Sequence, residues 1–404
     1  MSAQFIPGKT PVRLQEASFG QAEFDEAVDS LQSTQLVMGA KVRQFEEDWR
    51  TWLGVSSSVC VNSGTSALLL AMMWLRFHKA TPERNEILIP AVTWSTSLFP
   101  AIVVGLRPVL VDVSLDNLCT NSFEPYITDK TLAVLPVHLM GHAADMRTIL
   151  SEAKRHNLHV IEDACEAHGT ELHGCKVGTW GDMSVFSFMF SHHMTTIEGG
   201  MINAGEQDLA DTLRMFRAHG WIRETNPAFQ RQIRAEYPDI HPSFLFAEIG
   251  LNVRPTEIVG AFGIHQLAKL NGFIDNRRAA FAKIIERLRR HERHLHLFPE
   301  MDGERLSPFA FPVLVRENAP FHASNLMSFL EENLIEIRPI EGANLAAHPF
   351  MRRYGHLLEI RGSLKNAELI HQNGFFFGLN QSTDDARISY IGDVFDKFFA
   401  LETP

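Results

Sequence analysis

The chain has 404 residues, of which 45% are hydrophobic and 21% charged, a composition typical of a globular protein with room for two domains. Its net charge of −11 comes from 37 basic and 48 acidic residues without a run of Lys and Arg, which excludes a sequence-independent nucleic-acid surface. No apolar stretch approaches the roughly 18 residues of a membrane span, and the start, MSAQFIPGKTPVRLQ, lacks a signal core. We therefore expect a cytoplasmic protein that binds neither nucleic acid nor membrane.

The four cysteines are too widely spaced to suggest a metal centre. The closest two are ten residues apart, so the chain contains no C-x-C or C-x-x-C. A zinc ion or an iron–sulfur cluster therefore has no local signature. We expect reduced thiols at Cys60, Cys119, Cys165 and Cys175, and no metal site.

From about residue 55 to 205, short apolar runs alternate with helical patterns. The predicted strands are SSVCVNS, EILIPAV, PVLVDV, LAVLPVH, LHVIEDA and SVFSFMF, and the helices include TSALLLAMMWLRFH and MRTILSEAKRHN. This alternation predicts a mostly parallel, doubly wound sheet, which binds ligands outside the carboxyl ends of its strands. A long helical stretch from PTEIVG to RHERH then leads to the strands SPFAFPVLV and IEIRPI. We predict a large α/β domain of residues 1–270 and a smaller C-terminal α/β domain of residues 271–404.

Two of the segments that follow predicted strands have the features of a ligand site. In VNSGTSALLLAMM, Gly64 allows a tight turn and a helix opens at Thr65 and Ser66. The free amides and the positive end of the helix dipole then form a seat for phosphate, although ordinary helix capping explains the same residues. In IPAVTWSTSLFP, Trp94 either lies flat on a ligand or packs in the core.

Two further segments add a carboxylate and a pair of imidazoles. HVIEDACEAHG delivers Glu162 and Asp163, where a carboxylate either holds a positively charged ring nitrogen or caps a helix. In FSFMFSHHMTTIEGGM, Ser187 adds a hydroxyl, and His192 and His193 follow as catalytic or as structural residues. The four segments together supply the parts that bind pyridoxal phosphate (PLP).

On these motifs the sequence resembles the DegT/DnrJ/StrS family of sugar aminotransferases, over nearly its whole length. VMGAKVRQFEEDW is similar to the N-terminal segment of the family, and NSGTSAL, EILIPAVTW, LPVHLMGHAADM, IEDACEAHG, VGTWGDMSVFSF and GLNVRPTEIVGAFGIHQL follow in the order of the family. The resemblance implies fold type I of the PLP enzymes, which is aspartate aminotransferase-like. It also implies a homodimer with shared active sites.

The resemblance assigns expected roles to single residues. It implies that Thr65 and Ser66, beside Gly64 and Ser187, hold the cofactor phosphate. It further implies that Trp94 stacks on the pyridine ring, that Asp163 pairs with the ring nitrogen and that Glu166 lies near the 3-hydroxyl. Asn252 is expected to reach the cofactor phosphate of the neighbouring subunit.

The departure from the family is a missing lysine. In the motif F-S-F-x-x-x-K the seventh residue forms the covalent bond to PLP, and counting from Phe186 this position is His192. The chain has no lysine between Lys176 and Lys269, so PLP or its amine form, pyridoxamine phosphate (PMP), is expected to bind non-covalently. Within the family, this replacement resembles the PLP-dependent sugar 3-dehydratases. A second dehydratase branch carries an iron–sulfur cluster on a C-x-C set that this chain lacks.

The resemblance implies dehydration at C3 of a nucleotide-linked 4-keto-6-deoxy sugar, with GDP-4-keto-6-deoxy-D-mannose as the expected substrate. L-Glutamate would regenerate PMP, and ammonia would leave with a 3,6-dideoxy-4-keto sugar. His192, with an ordinary pKa of about 6.5, is expected to take a proton and return it to the departing hydroxyl. His193 is expected to have a supporting role.

The remaining candidate substrate contacts are His219, Arg223, Arg254 and Arg338, for the sugar, for phosphates or for the carboxylates of glutamate. Two other functions stay open from the sequence. One is an aminotransferase that works without a covalent lysine and releases an amino sugar. The other is a catalytically silent regulator that binds a nucleotide sugar or PLP.

Overall fold

The computed structural model describes residues 5–402 and contains three sheets in that range. The strands, numbered along the chain, are β1 Ser57–Val61, β2 Glu86–Pro90, β3 Arg107–Val111, β4 Thr131–Val134, β5 His159–Asp163, β6 Glu171–Leu172, β7 Cys175–Lys176, β8 Met183–Ser187, β9 Gly200–Ala204, β10 Leu295–Leu297, β11 Glu304–Arg305, β12 Phe311–Val315, β13 Ile337–Pro339, β14 Glu359–Ile360 and β15 Gly374–Phe377. The α-helices are α1 Gln21–Gln32, α2 Ala40–Leu53, α3 Gly64–Trp74, α4 Phe99–Val103, α5 Met146–His156, α6 Gln207–Arg217, α7 Pro227–Glu236, α8 Glu257–Leu288, α9 Ala323–Glu332, α10 Phe350–Tyr354, α11 Lys365–Asn373 and α12 Asp385–Glu402.

The largest sheet has eight strands in the order β1-β9-β8-β5-β4-β2-β3-β14. β9 runs antiparallel to both of its neighbours, and the other pairings are parallel. All residues of β1, β2, β4, β8 and β9 are buried, as expected for strands covered on both faces. The six strands predicted from the sequence are all present, and the prediction of a mostly parallel sheet is confirmed.

The N-terminal helices pack on the long helix α8. Glu257, at the start of α8, accepts hydrogen bonds from the backbone amides of Gly39 (2.5 Å) and Lys41 (2.7 Å), which begin α2. A carboxylate there satisfies amides that have no partner within the helix and complements its dipole. Phe45 and Trp49 of α2 are fully buried and pack on Phe186 and Phe188 beside the end of β8. These aromatic contacts hold the C-terminal end of β8 against α2.

A second hydrophobic cluster lies in the C-terminal part of the chain. Its centre is an antiparallel four-stranded sheet in the order β10-β12-β15-β13, covered by the C-terminal half of α8 and by α12. Phe5 and Val12 of the N-terminal segment belong to the same cluster. The division of domains at residue 270 stays a prediction: α8 runs through that position, and β14 returns to pair with β3 in the large sheet.

Three parallel strands end at the same edge of the large sheet, and the turn that follows β1 lies at that edge too. β2 leads into residues 91–97, β5 ends at Asp163, and β8 ends at Ser187. β1 leads into the turn at Ser63, which caps α3 by accepting a hydrogen bond from the amide of Ser66. The helix therefore begins at Gly64, one residue before the predicted start.

Two glycines of α8 provide a matched test of this packing. A Cβ added at Gly260 would lie 2.4 Å from the backbone of Lys41, whereas a Cβ at Gly272 meets nothing within 4 Å. We predict that Gly260→Ala lowers the free energy of unfolding by about 1–3 kcal/mol, because α2 must move away. We predict that Gly272→Ala raises it by up to about 1 kcal/mol, through helix propensity alone. Urea unfolding measures both, and equal effects of the two variants would contradict the α2–α8 contact.

Candidate active site

A cavity of about 460 Å³ opens at the carboxyl edge of the large sheet. Its floor comes from the ends of β1, β2, β5 and β8, and residues 309–310, 338–339, 341 and 376 from the C-terminal part close it. Eight of the residues singled out from the sequence line it: Gly64, Thr65, Trp94, Asp163, Glu166, Ser187, His192 and Arg338. The sequence segments therefore converge as the sheet topology predicts.

The N-terminus of α3 meets the end of β8 at the base of this cavity. A Cβ on Gly64 would lie 2.7 Å from Cβ of Ser187, so only glycine allows this approach. Ser63 and Thr65 line the cavity beside them. The hydroxyl of Ser66 donates to Oδ1 of Asn62 (2.6 Å) and does not line the cavity. The available donors are therefore the first helix amides and the hydroxyls of Thr65 and Ser187.

Asp163 and Glu162 have separate roles although they are adjacent. Glu162 is fully buried and accepts hydrogen bonds from the backbone amides of Gly178, Trp180 and Gly181, so it organises the loop before β8. Asp163 faces the cavity, and the hydroxyl of Ser97 donates to its Oδ2 (2.8 Å). Successive side chains of a strand point to opposite faces, so Glu162 and Asp163 face different sides of β5. Asp163 is therefore the carboxylate available to a ligand.

Trp94 lies at the cavity wall with 55% of its surface exposed. A core tryptophan would be buried, so the core interpretation left open by the sequence does not hold here. The ring follows β2 on the 91–97 loop, where the hydroxyls of Thr93 and Ser97 are 2.7 Å apart and link the loop to Asp163. The loop that carries Trp94 is thereby tied to the carboxylate of Asp163.

The two adjacent histidines have different environments. His192 lines the cavity, whereas His193 is fully buried behind it with Nε2 3.1 Å from the carbonyl oxygen of Ser307. That bond orients the His193 ring and fixes a hydrogen on Nε2. Of the two imidazoles, only that of His192 is placed to meet a ligand.

Burial, reinforced by the positive charge of Arg277, lowers the pKa of His192 to about 3. The pKa of about 6.5 expected of an ordinary histidine is therefore too high for His192 in the ligand-free chain. Arg277 is fully buried, and its guanidinium donates to the carbonyl oxygens of Phe309 (2.7 Å) and Leu379 (2.6 Å). Burial lowers the pKa of Arg277 to about 9, still high enough to keep it charged at neutral pH. His192 is therefore a neutral imidazole.

The N-terminal segment closes the site on the side of His192. Leu14 lines the cavity, and its amide donates to Oε2 of Glu336 (3.0 Å). Nε2 of Gln15 donates to the backbone carbonyl of His192 (3.3 Å), and Oε1 of Gln15 accepts from Arg277 (3.4 Å). The turn that carries His192 is thus tied to α8 through the N-terminal segment.

Glu166 shares the cavity lining with a second carboxyl group, that of Glu341. Oε2 of Glu166 also accepts from the amide of Met140 (2.9 Å). Burial first, and then the adjacent Glu341, raise the pKa of Glu166 well above its ordinary value. The sequence did not single out Glu341, because an isolated glutamate after R-P-I carries no signal of its partner.

The other predicted contacts lie away from the cavity lining and share one cluster. Trp221 is at its centre: the His219 ring lies 4.5 Å from that of Trp221, and the guanidinium groups of Arg223 and Arg254 lie 4.0 and 5.7 Å from it. Nε of Arg254 donates to Oδ1 of Asn252 (2.9 Å). The structure therefore brings these four predicted residues together, but not to the cavity of their own chain.

Two classes of site are not found in the described part of the chain. Residues 5–402 contain no group of three or more His, Cys, Asp or Glu side chains arranged to hold a metal ion. Among the helices of the same range, none is long and apolar enough to cross a membrane. The four cysteines are free.

Comparison with known proteins identifies the family. The model of the DegT/DnrJ/EryC1/StrS aminotransferase family matches residues 18–396, and the chain belongs to this family. It is 33% identical over 389 residues to a GDP-4-keto-6-deoxy-D-mannose 3-dehydratase of Yersinia pseudotuberculosis, covering 95% of this chain and 98% of that protein.

Solved structures agree with the sequence comparison. An Escherichia coli GDP-4-keto-6-deoxy-D-mannose-3-dehydratase with bound hydrated PLP superposes with a TM-score of 0.87 at 30% identity, over 95% of this chain and 99% of that chain. A GDP-4-keto-6-deoxymannose-3-dehydratase with a trapped PLP-glutamate geminal diamine gives 0.85 at 30% identity, over 94% and 99%. The predicted fold, that of the PLP-dependent aminotransferases, is confirmed.

The low pKa of His192 predicts a specific loss of stability in acid. In the unfolded chain a histidine takes up a proton below about pH 6.5, whereas folded His192 does so only near pH 3. Between these values the unfolded state binds the extra proton, so stability falls as the pH falls, by up to about 1.4 kcal/mol per pH unit for this group. We predict that His192→Asn makes the fall in unfolding free energy between pH 6.5 and 4 shallower than in the wild type. Parallel curves in urea unfolding would contradict a buried, neutral His192.

Proposed function

We propose that this chain is a PLP-dependent 3-dehydratase of a nucleotide-linked 4-keto-6-deoxy sugar, with GDP-4-keto-6-deoxy-D-mannose as its substrate. The observation that carries the proposal is His192, which occupies the lysine position of the family and lines the same cavity as Asp163 and Ser187. The similarity to 3-dehydratases over nearly the whole chain supports the same reaction. A cytoplasmic location follows from the proposal, because nucleotide sugars and glutamate are metabolites of that compartment.

The residues at the cavity fit the cofactor. The close approach of Gly64 to Ser187 leaves backbone amides and hydroxyls at the positive end of α3, which suits a phosphate. Asp163, oriented by Ser97, is available to a protonated ring nitrogen, and the exposed face of Trp94 is available to the ring. The chain offers no lysine here, so binding is non-covalent.

When bound, the amine form of the cofactor supplies a nitrogen for the keto carbon of the sugar and a ring that takes up electrons as the C3 hydroxyl leaves. Asp163 keeps a hydrogen on the ring nitrogen through a charge-assisted hydrogen bond. His192, being neutral, accepts a proton at its imidazole. Because the imidazolium is costly in this buried site near Arg277, His192 passes the proton on to the departing hydroxyl.

Arg338 is the expected anion contact within the cavity. It is exposed on β13, and one of its guanidinium nitrogens donates to the backbone oxygen of Ile337 (2.9 Å), which leaves further donors free for a ligand. Guanidinium groups bind carboxylates and phosphates in a bidentate manner. We assign to Arg338 a carboxylate of L-glutamate, the proposed amino donor that restores the cofactor, or a phosphate of the nucleotide.

Product analysis tests the proposal against its alternatives. We predict that the protein with PLP, L-glutamate and GDP-4-keto-6-deoxy-D-mannose releases ammonia and a 3,6-dideoxy-4-keto sugar, detected by NMR and an ammonia assay. His192→Asn should lower the rate by at least about a hundredfold, because a general acid–base group is lost. An amino sugar as the product would indicate an aminotransferase, and no turnover with any nucleotide 4-keto-6-deoxy sugar would indicate a regulator. An unchanged rate in His192→Asn would remove His192 from its role.

We also propose a homodimer with shared active sites. Between residues 237 and 249, large apolar side chains point to solvent, among them Phe244 with 61% of its surface exposed. Such an apolar surface favours association with a second copy. The segment continues directly to Asn252 and Arg254, which are candidate ligand contacts but do not line the cavity of their own chain. Association through this segment would bring them to the cavity of the partner.

Mixed dimers test the shared site. We predict that His192→Asn and Asn252→Ala subunits are each poorly active alone, and that a one-to-one mixture after subunit exchange regains up to about a quarter of wild-type activity, because one site in each mixed dimer is intact. The matched control mixes His192→Asn with Asp163→Asn. Both of these residues line one cavity, so no activity should return. Absence of recovery in the first mixture, with dimers verified by sedimentation, would contradict the shared site.

A further inference from the structure

The turn between β8 and β9, residues 188–199, carries His192 and contains no helix or strand of its own. Backbone hydrogen bonds close it on itself: the amide of His192 donates to the carbonyl oxygen of Met189 (3.0 Å), and the amide of Thr196 donates to that of Phe188 (2.9 Å). Bonds within a turn give it a shape but do not fix its place relative to neighbouring elements. The place of the His192 imidazole in the cavity therefore depends on contacts that reach the turn from outside.

Gln266 of α8 makes one of these contacts. Its side chain is fully buried, and its Oε1 accepts hydrogen bonds from the amide of Thr195 (3.2 Å) and from the hydroxyl of Ser18 (2.8 Å). Its Nε2 donates to the carbonyl oxygen of Ser18 (3.0 Å) and to Oε1 of Glu23 (2.7 Å). A side-chain amide has two donor hydrogens and two acceptor lone pairs, so every hydrogen-bonding position of Gln266 is used. The group has one orientation in which all four bonds are made.

A second glutamine, Gln15 of the N-terminal segment, reaches His192 itself. Its Nε2 donates to the backbone oxygen of His192 (3.3 Å), and its Oε1 accepts from the guanidinium of Arg277 (3.4 Å). Arg277 is in turn fixed by the carbonyl oxygens of Phe309 and Leu379. The side chain of Gln15 therefore connects the backbone of His192 to a guanidinium that is held in place from other directions.

Gln266 and Arg277 lie on the same face of α8. They are eleven positions apart, which at about 3.6 residues per turn is close to three full turns, or roughly 16 Å along the helix axis. One face of a helix of 32 residues thus reaches the His192 turn at two points, directly at Thr195 and through Gln15 at His192. The helix serves as the common reference for both points.

The N-terminal segment that supplies Gln15 is also bonded to the C-terminal part of the chain. The amide of Val12 donates to the carbonyl oxygen of Leu334 (2.8 Å), and the amide of Glu336 donates to that of Val12 (3.0 Å). Two residues later, the amide of Leu14 donates to Oε2 of Glu336 (3.0 Å), and Leu14 lines the cavity. The segment is therefore held on both sides of Gln15, by these strands and by Gln266.

The outside contacts fall on the half of the turn that carries His192. Besides Thr195 and His192, His193 is held by the bond between its Nε2 and the carbonyl oxygen of Ser307 (3.1 Å). The earlier residues Met189 and Phe190 are 39% and 41% exposed. The anchoring is thus concentrated on residues 192–195, where an imidazole meets the cavity.

We propose that Gln266 and Gln15 are positioning residues, which use α8 as a reference to hold the imidazole of His192 at the place in the cavity where it exchanges a proton with a ligand. Proton transfer needs donor and acceptor atoms within hydrogen-bond reach, and a displacement of about 1 Å can cost about a hundredfold in rate. The catalytic part of this role rests on the proposed function, in which His192 moves the proton. The placement of the ring does not.

The ligand-free chain tests the placement. Methionine resembles glutamine in length but forms none of these hydrogen bonds, so Gln266→Met and Gln15→Met each release one of the two points. With histidines labelled in the ring, we predict that both variants shift the NMR signals of the His192 imidazole, which are identified by their loss in His192→Asn. We also predict that the amide of Thr195 exchanges with deuterium about tenfold faster in Gln266→Met, because its acceptor is removed.

The matched control is Gln21→Met, the same substitution at an exposed glutamine whose Nε2 donates to Oδ1 of Asp25 on α1. It should leave the signals of His192 unchanged. Gln15 is only half-buried, so Gln15→Met provides the test if Gln266→Met does not fold. Signals of His192 that coincide with those of the wild type in the folded variants would overturn the proposal.

Turnover gives a separate readout. With PLP, L-glutamate and GDP-4-keto-6-deoxy-D-mannose, we predict that Gln266→Met and Gln15→Met lower kcat by at least about tenfold and leave KM within about twofold, because binding is kept and the proton transfer is misaligned. Ile284→Val, which removes a methyl group from the second hydrophobic cluster, should lower stability and keep kcat.

The outcomes separate the two proposals. A loss of kcat in Ile284→Val equal to that in Gln266→Met would show that activity merely follows stability, and it would overturn the positioning role. No turnover by the wild type with any nucleotide 4-keto-6-deoxy sugar would instead contradict the proposed function. The NMR signals and the exchange of the Thr195 amide would then still decide whether the two glutamines place His192.

Discussion

The site depends on one steric constraint, the contact of the turn after β1 with the strands β8 and β9. Gly64 meets Ser187, and a Cβ on Gly200 would lie 2.4 Å from the carbonyl oxygen of Ser63. Side chains at either glycine would separate the start of α3 from the end of β8. The helix amides would then no longer face the cavity, and the turn that begins at Phe188 would shift with them. The phosphate seat and the position of His192 are therefore consequences of the same close approach.

Electrostatics divides the cavity into two walls of opposite character. Behind one wall, Arg277 is buried among carbonyl oxygens, and His192, which lines the cavity there, remains neutral. On the other side, Asp163, Glu166 and Glu341 line the cavity, and burial raises the pKa values of Glu166 and Glu341. A covalent lysine would place a further positive charge on the first wall. Its replacement by an imidazole fits a buried environment that already contains the charged guanidinium of Arg277, because imidazole can remain uncharged there.

Much of the fold could be predicted from the sequence because its signals are local. Apolar runs bounded by turn residues gave the six strands of the central sheet, and strand-end polar residues gave Asp163 and His192. What the sequence could not provide was pairing at long range. Ser97 is an ordinary turn residue until Asp163 is placed beside it, and Glu341 meets Glu166, 175 positions earlier in the chain, only in the lining of the cavity. The ordinary pKa assigned to His192 was wrong because burial is a property of the fold and not of the residue.

The way in which the N-terminal segment ties the His192 turn to α8 has a consequence for biosynthesis. Leu14 and Phe376 both line the cavity, and β14 completes the edge of the large sheet only with residues 359–360. A nascent chain emerging from the ribosome thus has its central strands long before it has a closed cavity. An assembled cofactor site therefore requires a chain that extends at least to residue 376, and shorter translation products lack it.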